Sequence, residues 1–222
     1  LRIPPRCLQR ILSPTGERWR SQREAGGGAP KGRRGLFIMN ISTFILYKLL
    51  RWHATDTLPR RTKAIICVAP HTSNWDFIIG QLYGHAAGLH SGFLMKKSWF
   101  FWPLGPIFRR MGGIPIERSK QCSTTDAIAQ AARQAEHFTI AITPEGTRSH
   151  VTTWRRGFYY IALKAGLPIQ CYAIDYKDKH IIGTLEITPS GDVEADLRRI
   201  MDYYRPVNAL HPENFAVEEP SE

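Results

Sequence analysis

No stretch of this chain approaches the roughly 20 consecutive apolar residues that a membrane-spanning helix requires. The longest candidate, Leu36–Tyr47, is interrupted by Asn40, Ser42 and Thr43 and stops at Lys48. A signal peptide is not expected either, because Lys48, Arg51, Trp52 and His53 follow where a small-residue cleavage site would be. Cysteine is scarce: Cys7, Cys67, Cys122 and Cys171 are scattered, with no C-x-x-C pair. That pattern excludes a disulfide framework and a zinc ribbon and fits a reducing, cytoplasmic setting. Cys67 and Cys171 sit in apolar runs and are expected to be buried thiols. No serine has the G-x-S-x-G setting of a nucleophile elbow, which argues against a serine hydrolase.

Negative charge is also in short supply, but unevenly. Residues 1–38 hold nine Lys/Arg against Glu17 and Glu24, which accounts for +7 of the net +11. The remaining 21 Lys/Arg face 17 Asp/Glu, so the body carries only +4. A nucleic-acid binder would carry its basic stripe on the folded domain, so nucleic acid is not expected as a partner. A mildly basic body with aromatic residues suits an anionic membrane surface.

The 222 residues, 43% hydrophobic, suffice for one domain with a tail. Residues 1–38, rich in Arg, Pro and Gly, read as a basic disordered extension. The first methionine is Met39, so whether this extension is part of the native product is left open. Residues 39–63 read as an amphipathic helix, Ile41–His53, followed by a polar linker from Asp56 to Lys63. On the helix, Ile41, Phe44, Ile45, Lys48 and Leu49 share one face.

Residues 64–222 then alternate. The expected strands are Ala64–Ala69, Ile114–Ile116, Thr139–Thr143, Ile169–Ile174 and Ile181–Ile187. The expected helices run from Ser73 or Asn74 to Gly88, from a cap at Ser123 onward, over Trp154–Ala165 and over Asp192–Tyr204. Alternating strands and helices imply an α/β fold, a mainly parallel sheet flanked by helices.

In such folds ligands bind beyond the carboxyl ends of the strands. Two polar clusters fall there: Pro70-His71-Thr72-Ser73-Asn74-Trp75-Asp76 after Ala69, and Pro144-Glu145-Gly146-Thr147-Arg148-Ser149 after Thr143. On one straight helix His71 and Asp76 would point about 140° apart. They can meet only if His71 lies in a loop and Asp76 in the first helical turn. Asp76 would then fix the imidazole, whose other nitrogen could take a hydroxyl proton. Arg148 can bind a phosphate with two hydrogen bonds, and Gly146 lets the backbone approach an anion. Glu145 could hold Arg148 or receive an acceptor hydroxyl. Between the clusters, Phe93–Arg110 carries Phe93, Trp99, Phe100, Phe101, Trp102 and Phe108 beside Lys96, Lys97, Arg109 and Arg110. These aromatics suit either a membrane interface or a core.

The sequence resembles the glycerolipid acyltransferase family typified by lysophosphatidate acyltransferases. Four blocks occur in order over residues 64–190: PHTSNWD, KKSWFFWPLGPIFRRMGGIPIER, PEGTRS and the LPI of Leu167–Ile169. The resemblance implies His71 as general base and Asp76 as its partner. It implies an acceptor-phosphate site made of Arg118, Glu145, Gly146, Thr147 and Arg148. It also implies acyl-CoA or acyl-carrier protein as donor, a lysophospholipid such as 1-acyl-sn-glycerol-3-phosphate as acceptor, and neither metal, cofactor nor acyl-enzyme. Pro70 stands where many members have Asn, and Trp154-Arg155-Arg156-Gly157 replaces the usual Phe-Lys-Lys-Gly. With one N-terminal helix, peripheral docking on the cytoplasmic face of a membrane through Ile41–Trp52 and Phe93–Phe108 is expected. The competing readings are a non-catalytic membrane- or lipid-binding module of the same fold, which the presence of His71, Asp76, Glu145 and Arg148 opposes, and an acyltransferase for a different lysolipid acceptor, which the departures from the family pattern leave open.

Overall fold

The computed structural model describes residues 41–116 and 124–217. A short helix α1, Ile41–Thr43 continuing as a π-helical turn Phe44–Leu49, leads into strand β1, His53–Asp56. Then come β2 Lys63–Ala69, α2 Asn74–Ala86, β3 Gly92–Lys96, α3 Leu104–Arg110 and β4 Gly113–Ile116. They are followed by α4 Thr124–Gln134, β5 Phe138–Ile142, α5 Gly157–Ala165, β6 Ile169–Asp175, β7 His180–Ile187 and α6 Val193–Tyr204. The strands form one sheet in the order β1-β7-β6-β2-β5-β3-β4. Every neighbouring pair is parallel except β6 and β7.

β2 shows why helices cover both faces. Successive side chains of a strand point to opposite sides. Ile65, Cys67 and Ala69 enter a core with Ile128 of α4, Phe158 of α5 and Ile200 of α6. Ile66 joins Tyr172, Ile174 and Ile181 under Leu46 of α1 and Ile79 and Tyr83 of α2. The run Ala64–Cys67 is therefore apolar without alternation, as a strand buried on both faces must be. Cys67 and Cys171 are buried free thiols paired across β2 and β6.

Several elements depart from the sequence expectation. β1 lies where a helix end and a linker were expected. Its four residues alternate between exposed and half-buried and offer no apolar run to read. Arg51, at φ 57°, ends the helical turn and swings the chain into that strand. On α1, Ile41, Phe44 and Leu49 of the face grouped from the sequence are exposed, while Ser42 and Leu46 turn inward. The winding is π-helical from Phe44, which changes the phase of the side chains relative to an α-helix. β3 was hidden in the aromatic segment. α5 begins at Gly157, because Trp154 leaves the helix to pack on Tyr204 and Phe215, donating its indole N–H to Ala216 O at 3.1 Å. Phe138 opens β5, one residue before the expected start at Thr139. Residues 1–38, Arg118 and the Ser123 cap lie outside the described residues.

Candidate active site

Register brings the two polar clusters together. Cys67 of β2 pairs with Ile142 of β5, so three residues further on Pro70 stands level with Glu145. On the other side Ala69 pairs with Ala173 of β6, so Thr72 stands level with Tyr176. The loops after β2, β5 and β6 thus leave the sheet along one rim.

The loop after β2 ends in a helix cap. Ser73 has extended backbone (φ −144°, ψ 163°), and its hydroxyl accepts from the Trp75 N–H at 3.2 Å. Asp76 closes the capping box: its Oδ2 accepts from the N–H groups of Thr72 and Ser73, both at 2.7 Å. His71 therefore sits in the loop and Asp76 in the first turn of α2, and His71 Nδ1 lies 3.5 Å from Asp76 Oδ2. The break required by the spacing is present. The remaining oxygen, Oδ1, accepts from the Tyr176 hydroxyl at 2.6 Å. Asp76 is 3% exposed, and the hydrogen bonds it accepts fix its orientation. Burial first, and then the hydrogen bond to Asp76, push the Tyr176 phenol well up, so it remains a neutral donor.

Glu145 departs from expectation. It is 2% exposed, does not line the cavity described below, and makes no ion pair with Arg148. Its Oε1 accepts the backbone N–H of His71 at 2.8 Å, and its buried Oε2 has no hydrogen-bond partner. Burial pushes its carboxyl up to about 7, against the opposing pull of the His71 N–H and the His71 charge. Glu145 thus holds the loop that carries His71 and does not face an acceptor.

His71, Asp76, Gly146, Thr147 and Arg148 all line one cavity of about 1640 Å³. Gly146 has φ +66°, and a Cβ there would overlap Nε and Cδ of Arg155, which also lines the cavity. The glycine makes room for that side chain, a role its position in the loop did not reveal. Thr147 Oγ1 accepts from the Ser149 N–H at 3.3 Å and shapes the turn that presents the exposed Arg148.

The cavity continues beneath α2, where Phe77, Gly80 and Gly84 face Ile66, Val68 and Ile174. Nothing lies within 4 Å of a Cβ built on Gly80, so the glycine leaves open space. Tyr83, seven residues and about 10 Å along the helix from Asp76, also lines it, as does Tyr172. Their hydroxyls meet the Asp56 carboxylate, Tyr83 at 2.6 Å and Tyr172 at 3.3 Å, and Arg60 balances the charge at 3.1 Å. The aromatic segment divides between core and surface: Phe93 is buried edge-on against Phe77, while Trp99, Phe101 and Trp102 are exposed.

Sequence reasoning missed Tyr176 and the closeness of Arg155 to Gly146. Tyr176 was within reach, since it lies just beyond the carboxyl end of an expected strand, where such folds bind ligands.

The chain resembles the solved 1-acyl-sn-glycerophosphate (LPA) acyltransferase, PlsC, from Thermotoga maritima in fold. The TM-score is 0.50 at 15% identity, over 73% of this chain and 76% of that one. No curated protein matches it. The family model described as Acyltransferase matches residues 50–175, more than half of the sequence and both polar clusters. The chain belongs to the acyltransferase family whose four blocks it resembles.

Proposed function

We propose that the protein moves a fatty acyl chain from a thioester, acyl-CoA or acyl-carrier protein, to a hydroxyl of a lysophospholipid, with 1-acyl-sn-glycerol-3-phosphate as acceptor. The observation that carries this reading is the His71–Asp76 pair at the rim of a cavity that is apolar under α2 and cationic at Arg148.

Asp76 faces Nδ1 and steadies the positive charge that develops on the ring. Nε2 takes the proton of the acceptor hydroxyl as its oxygen attacks the thioester carbonyl. The tetrahedral oxyanion collapses, the C–S bond breaks, and the imidazolium returns its proton to the departing thiolate. Atoms and charge balance without an acyl-enzyme, a metal or a cofactor. Arg148, together with Gly146, Thr147 and Arg118, would anchor the acceptor phosphate. The apolar channel toward Tyr83 and Tyr172 would hold the acyl chain.

No described helix is long and apolar enough to cross a membrane. Trp99, Phe101, Trp102 and Ile107, with Ile41, Phe44 and Leu49 of α1, are exposed apolar groups that suit a lipid interface. Peripheral docking there would deliver the acceptor from the bilayer.

The test follows thiol release from palmitoyl-CoA, and separately from palmitoyl-carrier protein, with and without lysophosphatidate on anionic vesicles, beside the His71→Ala protein. Release that needs both the acceptor and His71 is expected, with kcat falling about 10²–10⁴-fold in the variant. Release without acceptor would make the protein a thioesterase. A substantial residual rate in folded His71→Ala would remove His71 as base.

A further inference from the structure

We propose that Arg155 is a second guanidinium of the acceptor site, closing with Arg148 on the phosphate monoester of the acceptor. This rests on the acyltransfer reading above and assigns a residue outside the four sequence blocks.

Three observations place it there. First, the Arg155 backbone N–H donates to Pro144 O at 2.8 Å, tying the base of its side chain to the loop that presents Arg148. Second, its side chain runs across Gly146, in space that any Cβ would take. That crossing aims it along the cavity wall shared with His71, Gly146 and Arg148. Third, neither Arg148 nor Arg155 has an ion pair or hydrogen bond from its guanidinium to a described residue. Nearby arginines are engaged: Arg156 with Glu194 at 2.5 Å, Arg133 with Lys164 O at 2.6 Å, and Arg61 with Glu186 at 2.6 Å.

The adjacent carboxylate does not neutralise the pair. Glu145 turns inward, with Oε1 on the His71 N–H and Oε2 buried. Two guanidiniums lining one cavity, with no carboxylate among the described residues paired to either, suit a multivalent anion better than a singly charged one. A phosphate monoester, with its second ionisation near pH 6, supplies close to two charges and three free oxygens. A phosphodiester supplies one charge and two free oxygens, so the second guanidinium discriminates between the two headgroups.

The experiment compares wild type, Arg155→Ala, Arg155→Lys and Arg156→Ala with two acceptors on vesicles, lysophosphatidate (monoester) and lysophosphatidylglycerol (diester). In parallel, glycerol 3-phosphate binding is titrated by phosphorus NMR. Arg155→Ala is expected to lower kcat/KM for the monoester on the order of tenfold to a hundredfold, through KM. It should change the diester and the donor KM less than about threefold, with partial recovery in Arg155→Lys and no change in Arg156→Ala. Glycerol 3-phosphate binding should weaken on the same scale. Equal losses on both acceptors, a rise in donor KM alone, or unchanged glycerol 3-phosphate binding would each overturn the proposal. If wild type transfers to neither acceptor while glycerol 3-phosphate binding still depends on Arg155, the reaction assigned above fails and the clamp stands.

Discussion

Tyr176 donates its hydroxyl to Asp76 Oδ1 at 2.6 Å across one hundred residues of sequence, leaving Oδ2 to the N–H groups of Thr72 and Ser73 and to His71. The carboxylate thus has each oxygen committed before any substrate binds. Its orientation comes from three elements: the loop after β2, the first turn of α2 and the loop after β6. Trp52 braces the phenol edge-on, with ring centroids 5.2 Å apart.

Tyr176→Phe removes that one donor and keeps the ring. Asp76 keeps its two backbone donors, so the fold holds, and a loss of about 1–2 kcal/mol is expected for a buried charge-assisted hydrogen bond. The freed oxygen leaves more negative charge to stabilise protonated His71. The acid limb of kcat/KM against pH should therefore move to higher pH, with kcat at its plateau reduced about three- to tenfold. Stability loss with an unmoved pH profile would make Tyr176 a packing residue only.

Glu145 couples the site to stability. Its carboxyl ordinarily titrates at 4.5 and is raised to about 7 in the folded chain by burial. The folded state therefore binds more protons than the unfolded state between those values, and this group's contribution declines as pH rises through the window. Above pH 7 the full cost applies, about 3 kcal/mol. Glu145→Gln keeps an oxygen for the His71 N–H and removes the titration. Denaturant unfolding at pH 5 and pH 8 should show a smaller drop for Glu145→Gln than for wild type. Parallel drops in the two proteins would rule out Glu145 as the source.

The histidine–carboxylate break was legible because its geometry is local: Pro70 stops a strand, Ser73 caps a helix, and five residues of spacing leave one way for His71 and Asp76 to meet. The sheet's central strands were legible because burial on both faces writes a continuous apolar run. β1 was not, since an edge strand of four residues needs no such run, and β3 was not, since its apolar residues merged with the surface aromatics that follow. Tyr176, Glu145 and Arg155 take their roles from tertiary register. Glu145 in particular reads as a polar loop residue, yet the level it shares with Pro70 brings it under the His71 backbone.

Trp102 is 84% exposed on the loop before α3 and does not line the cavity that holds His71 and Asp76. Inserting such a side chain into a lipid interface contributes about 1.5–3 kcal/mol. Trp102→Glu should lower partitioning to anionic vesicles by roughly tenfold or more, measured by sedimentation, and leave palmitoyl transfer to a short-chain, water-soluble lysophosphatidate within about twofold. Unchanged partitioning would exclude this loop from the docking surface.

Gly146 meets two constraints that can be separated. Its φ of +66° disfavours any side chain, and its Cα side is filled by Arg155. Gly146→Ala therefore strains the backbone by about 1 kcal/mol or more and displaces the guanidinium as well. In the double variant Gly146→Ala/Arg155→Ala the clash is gone and only the backbone cost remains. Thermal unfolding should rank wild type above the double variant and the double variant above Gly146→Ala. The acceptor KM should rise in both variants, because the guanidinium is displaced in one and absent in the other. A single variant no less stable than the double one would mean that Arg155 moves aside freely and that Gly146 is required for its backbone conformation alone.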